Sequence, residues 1–325
     1  MGGRLGLPAW GLGAAALGNL YTAVDDATAR ATVDACWDAG IRYVDTAPHY
    51  GLGLSEERVG AALRERPRGE FVLQTKVGRL LRPAAGGGRD TEGFDVPATR
   101  ERVWDFTAAG VRRSVEDSLG RLGLDRVDVV LVHDPDDHAE AARAGAFPAL
   151  LRMREEGLVR AVGAGMNQTG LPTRIVQEFD LDVVLVAGRY HLLDAGALVD
   201  LFPAAQRTGT AVVLGGVFAS GLLAHDDPPA GATYAYGPAP AALLERARRM
   251  AALAREHGTS LPALAVQAAA AHPAVASLVL GMRSPAEVRR NAALFADPVP
   301  PQAWEALRRE GLLPDGMPLP EGARP

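Results

Sequence analysis

Residues 41–64, IRYVDTAPHYGLGLSEERVGAALR, hold the pattern that decides the fold. Ile41–Asp45 is a short apolar, β-branched run ending on a carboxylate, which reads as a buried strand. The loop DTAPHYG follows. Ser55–Arg64 then opens with a serine and two glutamates, a composition suited to a helix N-terminus. Strand, loop and helix in so few residues make one β/α unit, and the same alternation continues in both directions along the chain.

Further strands are expected at Phe71–Lys76, Val127–Val132, Val159–Gly163, Val183–Val186, Ala211–Leu214 and Val275–Leu280, with a less regular first strand near Leu12. That makes eight, and nearly continuous apolar runs are what a parallel sheet buried on both faces requires. Amphipathic helices are expected at Ala27–Ala39, capped by Asp25 or Asp26 and ended by Gly40, and at Val111–Leu122, ended by Gly123. The rest are Ala141–Glu156, Pro172–Phe179, Ala195–Thr208, Ala241–His257 and Pro285–Phe295. The expected fold is a single α/β domain over 1–325, a (β/α)8 barrel. A doubly wound sheet is the alternative, but Gly11, Gly13 and Gly18 lack the Gly-x-Gly-x-x-Gly spacing that its first turn needs. Two connections are long: Gly78–Ala109 after the third strand and Gly215–Pro240 after the seventh. Both leave the C-terminal ends of strands, where barrels carry active sites. From Asp297 the tail holds a short helix near Trp304–Arg309 and then a Pro/Gly-rich end.

Composition narrows the function classes. The 325 residues are 48% hydrophobic and 22% charged, enough for a large core. A net charge of −5 with scattered Lys and Arg argues against a nucleic-acid groove. Cys36 is the sole cysteine, which excludes an intramolecular disulfide and a thiolate metal cage; its helical neighbours make it a small core hydrophobe. The start MGGRLGLPAWGLG lacks the pattern of a secretory signal, and no apolar run is long enough to span a bilayer. A cytoplasmic location, no membrane partner and no nucleic-acid partner are the expectations.

The polar residues of interest fall at strand ends. Asp45 closes the second strand and Tyr50 follows in the loop; Lys76 closes the third strand and His133 closes the fourth. In a barrel these ends are adjacent, so a carboxylate, a phenol, an ammonium and an imidazole converge. A phenol is a poor proton carrier near neutral pH because its reference pKa is about 10. An adjacent ammonium favours the phenolate, a carboxylate orients the ammonium, and an imidazole can position the substrate oxygen. Such a set suits proton transfer coupled to hydride transfer to a cofactor. Taken singly, Asp45 and Lys76 would also fit an ordinary ion pair, and Tyr50 an ordinary loop residue. The run HDPDDH, 133–138, is rich in metal-ligand types, but a chain leaving a strand points its side chains apart, so no metal site is expected.

With these residues in view, DTAPHYGLGLSEERVG, Lys76 and His133 resemble the aldo-keto reductase superfamily across essentially the whole chain. All four positions of that family's tetrad are matched, by Asp45, Tyr50, Lys76 and His133. The phrases LVHDPD, GAGMNQ, AGRYHLLD, GGVFASGLLA and AHPAVASLVLGMRSPAEVRRN are similar to the sugar 1-dehydrogenase branch, of L-fucose or D-threo-aldose type, and to pyridoxal 4-dehydrogenases. The resemblance implies a nicotinamide cofactor. Asn167 matches the residue that holds its carboxamide, and Gly215–Leu222 the loop around its pyrophosphate, with Gly215, Val217, Ser220 and Leu222 as contacts. Ala187 and Gly215 stand where the family has a glutamine and a ring-stacking aromatic; Phe218 or Tyr190 is the expected substitute. Arg283, Ser284, Glu287 and Asn291 match positions near the adenosine end.

Glu287 stands where NADP-preferring relatives carry an arginine. Its carboxylate repels a 2′-phosphate and accepts from a ribose hydroxyl, which favours NAD over NADP. Ser284-Pro285-Ala286-Glu287 equally fits a capping box. The resemblance implies oxidation of an aldose at C1 to the lactone. The alternatives are reduction of an aldehyde or ketone with NADPH, pyridoxal oxidation, or a non-enzymatic nicotinamide-binding subunit. Trp10, Tyr21, Trp104, Phe106 and Phe218 are the candidate substrate walls, or else packing residues of the loops. The small-molecule substrate itself and the oligomeric state are not specified by the sequence.

Overall fold

The computed structural model describes residues 6–235 and 237–320; the first five residues and the last five, the end of the Pro/Gly-rich tail, lie outside them. Eight parallel strands close into a barrel in the order β1 (Trp10–Gly13), β12 (Val275–Gly281), β9 (Ala211–Gly215), β8 (Val183–Ala187), β7 (Ala161–Met166), β6 (Val129–His133), β3 (Val72–Val77) and β2 (Tyr43–Asp45). Six of the seven strands with stated bounds end one to three residues further along the chain than expected. His133 ends β6, inside the hydrogen-bonded barrel.

Period two divides the side chains between two cores. Tyr43, Val129, Leu131, Ala161, Val183, Leu185, Ala211, Val213 and Val279 fill the barrel interior. Val44, Leu73, Val130, Val132, Val162, Val184 and Val212 point outward to the helices. Gln74 and Lys76 therefore share the inward parity of β3, and Tyr43 and Asp45 that of β2. Four polar side chains stack along one wall of the barrel at its upper end.

The outer layer comprises α1 (Asp26–Asp38), α2 (Leu54–Leu63), α3 (Ala108–Leu122), α4 (Ala139–Ala141), α5 (Phe147–Glu155), α6 (Gly170–Glu178), α7 (Leu201–Thr208), α8 (Ala241–Glu256), α9 (Leu261–Ala270), α10 (Pro285–Ala296) and α11 (Pro301–Arg309). The helix expected over 141–156 contains a π-helical turn at Ala142–Ala146. The one expected over 195–208 begins six residues later, after a 3-10 turn at Gly196–Leu198. The reading missed α9. Its sequence LPALAVQAAA is apolar all round and eight of its ten residues are buried, so it has no polar face to show a 3.6 period.

The first long connection also differs from expectation. Within 78–109 an antiparallel pair forms, β4 (Arg79–Pro83) with β5 (Arg100–Trp104), in register Arg79↔Trp104. Sixteen residues separate these strands, so no short hairpin turn announced them. The second connection carries a two-residue pair, β10 (Thr233–Tyr234) with β11 (Gly237–Pro238). The tail packs back on the barrel: Arg246 of α8 donates to the Leu312 carbonyl, and Met317 and Leu319 are buried. Cys36 is buried in α1, and burial pushes its thiol up to about 12, as a core residue requires. No helix among the described residues is long and apolar enough to cross a membrane.

Candidate functional site

The loop after β2 is shaped by close backbone approach. Gly51, Leu52 and Gly53 in succession have positive φ. A Cβ on Gly51 would lie 2.2 Å from the Gly18 carbonyl oxygen, and one on Gly18 would lie 2.7 Å from the Tyr50 carbonyl carbon. Only glycine fits on either side, so the loop lies flat on the 3-10 turn Ala14–Gly18. Ser55 Oγ, 2.8 Å from Thr46 Oγ1, donates to the Ala14 carbonyl. Arg58 donates to the carbonyls of Leu17 and Val24. Glu56, fully buried, accepts from Thr75 at 2.7 Å and Arg121 at 2.6 Å. The polar part of SEER thus braces the loop that presents Tyr50.

Lys76 lies at the centre of the site. Its Nζ is 2.7 and 2.9 Å from the two Asp45 oxygens, 3.0 Å from the Thr46 carbonyl and 2.9 Å from the Tyr50 hydroxyl. Gln74 Nε2 also donates to Asp45 at 2.7 Å, and Gln74 Oε1 accepts from the Tyr43 hydroxyl. Asp45 is 3% exposed and Lys76 1%, so the pair lies beyond the reach of salt screening. Gly165 of β7 packs beside it: a Cβ there would sit 3.4 Å from Lys76 Cε, an ordinary contact. Sequence reasoning missed Gln74 and Tyr43. The available signal was parity, since both lie two residues before a tetrad position on the same strand.

His133 stands edge-on to Tyr50, ring centroids 5.8 Å apart, and His49 packs against both. Burial, then the cations Arg79 and Lys76, hold the His133 imidazole well below its ordinary pKa. Burial and the same cations push His49 down to about 2. Burial also lowers His191, to about 4, and His272. Unfolded imidazoles titrate near 6.5, so below that pH the unfolded chain takes up protons that the folded one refuses. The contribution of these histidines is complete above pH 6.5 and is lost as the pH falls. Urea unfolding at stepped pH is expected to show stability dropping between pH 6.5 and 5 with a slope approaching about 1.4 kcal/mol per pH unit for each of His49, His133 and His191. His133→Asn should remove one proton from that slope; a flat profile would show that these rings are not held neutral.

A cleft of about 930 Å³ opens beside Tyr50 and runs across the C-terminal ends of β7, β8, β9 and β12 to α10. Asn167, Gly215, Val217, Ser220, Arg283, Glu287 and Asn291 line it. Gly216, Ala219, Ser220 and Gly221 all have positive φ, and the loop is tied by hydrogen bonds from the Ala219 and Gly221 N–H groups to the Gly216 and Phe218 carbonyls. Ala187 and Gly215 face each other, a Cβ on Gly215 lying 3.3 Å from that of Ala187, which leaves a flat floor for a planar ring. These residues fit a dinucleotide. Arg290, not anticipated, also lines the adenosine end.

Several expectations need correction. Leu222 lies outside the cleft: it is fully buried, with its N–H on the Ala219 carbonyl. Ser284 serves as the N-cap of α10, accepting from the Glu287 N–H, while Glu287 Oε2 accepts from the Arg283 N–H one residue before the cap, a variant of the capping box. Among the aromatic walls, Tyr21 and Phe218 line the cleft. Trp10 does not, because it starts β1 at the opposite end of the barrel and stacks on Phe295. Phe106 is buried beneath Gly78, and Trp104 stacks on Phe106 and over the Arg79 guanidinium, so both anchor the β4–β5 pair. Tyr190 is buried against Phe202 and cannot replace the stacking aromatic. His138 packs on Trp104.

Residues 9–309 match the model of the Aldo/keto reductase family. A D-threo-aldose 1-dehydrogenase from Pseudomonas sp is 47% identical over 95% of this chain and 96% of its own length. A pyridoxal 4-dehydrogenase from Microbacterium luteolum is 39% identical over 96% of each. Among solved structures, the holo form of an aldo-keto reductase from Bacillus halodurans superposes with a TM-score of 0.74 at 27% identity, covering 98% of this chain and 96% of that one.

Proposed function

We propose, since the chain belongs to the aldo/keto reductase family and is an NAD(P)-dependent oxidoreductase, that it oxidises an aldose at the anomeric carbon to the lactone with NAD as the preferred acceptor. The observation that carries this reading is the placement of Lys76 Nζ 2.9 Å from the Tyr50 hydroxyl with Asp45 clamping its other side. An ammonium so placed favours the phenolate. Tyr50 then takes the proton of the C1 hydroxyl, while Asp45 keeps Lys76 charged and aimed. His133, held neutral, orients the reacting oxygen. A bound nicotinamide supplies the acceptor for the hydride leaving C1. Asn167 would hold its carboxamide, the 215–221 loop its pyrophosphate, and Arg283, Glu287 and Asn291 its adenosine end. The similarity to a D-threo-aldose 1-dehydrogenase favours a sugar substrate, and the pyridoxal 4-dehydrogenase supports pyridoxal oxidation as the second reading.

The test follows absorbance of the reduced nicotinamide with NAD or NADP and a panel of L-fucose, D-arabinose, L-xylose, D-glucose and pyridoxal. Turnover of a sugar with NAD is expected. Silence with every sugar, but reduction of aldehydes with NADPH, would overturn both direction and cofactor. Charge at Glu287 is separable from its capping role, because glutamine also completes a capping box. Glu287→Gln is expected to keep the melting temperature and lower the NAD-over-NADP preference in kcat/KM by about tenfold, a like-charge repulsion of about 1.4 kcal/mol. An unchanged preference would leave Glu287 as a cap alone.

A further inference from the structure

Next to Tyr50 and His133 lies a charged pair that the chemistry above does not use. Arg79 begins β4, three residues after Lys76, and Asp134 follows His133 directly. Arg79 Nη2 is 3.1 Å from Asp134 Oδ2. Arg79 is 9% exposed, and its Nε and Nη1 are buried with no partner among the described residues. A buried donor left unpaired costs about 1–3 kcal/mol, more on a charged group. An ion pair serving structure alone has no need of such a deficit.

Asp134 is held in place by a strained backbone, with φ 41° in a residue other than glycine and its N–H on the Gly165 carbonyl. Strain of this kind collects at functional sites. The carboxylate lies between the two groups that frame the reacting carbon. Its Oδ2 is 3.5 Å from His133 Nε2, and its Oδ1 is 3.5 Å from Asn167 Nδ2. Both distances are at the outer limit of a hydrogen bond, so neither accounts for the carboxylate. Its side chain is one-fifth exposed, and its one close partner is Arg79, so the carboxylate has acceptor capacity left over.

We infer that Asp134 and Arg79 together read the hydroxyls next to the carbon being oxidised, Asp134 accepting from the C2 hydroxyl and the unpaired Arg79 N–H groups donating to the neighbouring oxygen. This rests on the aldose reading of the same site. A carboxylate one residue beyond the imidazole that orients O1 is a neighbour suited to the vicinal O2. Burial raises the Asp134 carboxyl, the guanidinium beside it opposes that shift, and the two complement each other because each sugar hydroxyl both donates and accepts. A site built this way rejects an analogue that lacks the hydroxyl, because its own polar groups are then left unpaired.

The test compares kcat/KM for an aldose that the enzyme turns over with that for its 2-deoxy counterpart, in wild type, Asp134→Ala and Arg79→Met. Wild type is expected to prefer the parent sugar by about 100-fold. In Asp134→Ala the preference should collapse to within about threefold, through loss on the parent sugar, while the dissociation constant for NAD measured by fluorescence quenching stays put. Arg79→Met should also reduce the preference, and its melting curve separates that effect from misfolding. A preference unchanged in Asp134→Ala, or absent from wild type while sugars are oxidised, would overturn this inference and leave the aldose reading standing. Failure of wild type on every aldose would overturn both.

Discussion

Tyr50→Phe is expected to lower kcat by at least about 10³-fold while leaving NAD binding within about twofold of wild type. Acid–base groups contribute about 10²–10⁴ in rate, and His133, the neighbouring imidazole, is a poor substitute because burial and nearby cations hold it neutral. The substitution removes one oxygen. The ring keeps its packing on Phe94, His49 and His133. Lys76 keeps both Asp45 oxygens and the Thr46 carbonyl. The cofactor residues lie on β7, β9, β12 and α10, away from the change. Steady-state kinetics together with a fluorescence titration of the cofactor check both halves. Turnover near the wild-type level would remove Tyr50 from the chemistry.

Lys76→Met combines the other large effects. Among the described residues Asp45 would lose its one cation within hydrogen-bond reach and keep the Gln74 amide while remaining 3% exposed. Breaking a buried pair from one side costs about 3–5 kcal/mol, because the surviving charge is neither hydrated nor paired. Urea unfolding should show that loss, and turnover should fall with it because Tyr50 loses the ammonium beside its hydroxyl. Adding Asp45→Asn to the same chain should recover much of the stability, since no uncompensated charge then remains, but none of the activity. A single substitution costing under about 1 kcal/mol, or a double variant less stable than either single, would mean that the pair does not behave as a buried pair.

The strand parities explain how far the site was legible. Asp45, Lys76 and His133 were visible because each is a polar residue ending an apolar run, a mismatch between composition and strand position. Gln74 and Tyr43 were not, because a tyrosine or glutamine within a strand is unremarkable until its neighbour on the next strand is known. The hydrogen bonds from Tyr43 to Gln74 and from Gln74 to Asp45 are contacts between strands, set by the register Tyr43↔Val72 and Asp45↔Gln74. The aromatic walls failed differently. Trp10, Trp104 and Phe106 were placed by residue type, and large rings serve packing as readily as binding.

What the sequence determined by itself follows from periodicity and local chemistry. Eight apolar strands, the helices with a polar face, the capping box at Ser284–Glu287 and the loop that carries Tyr50 all depend on neighbours within a few residues. What only the tertiary structure decided is whatever depends on the closing of the barrel. The pairing of Arg79 with Asp134, the packing of Gly165 beside Lys76, and the closeness of Gly18 to Gly51 join residues 33 to 89 positions apart. The same closure places α9, whose uniform apolarity has no meaning until a second layer covers it. A period-two or 3.6 pattern records which way a side chain faces. Which partner it meets there is set by strand register and helix packing, which no local pattern contains.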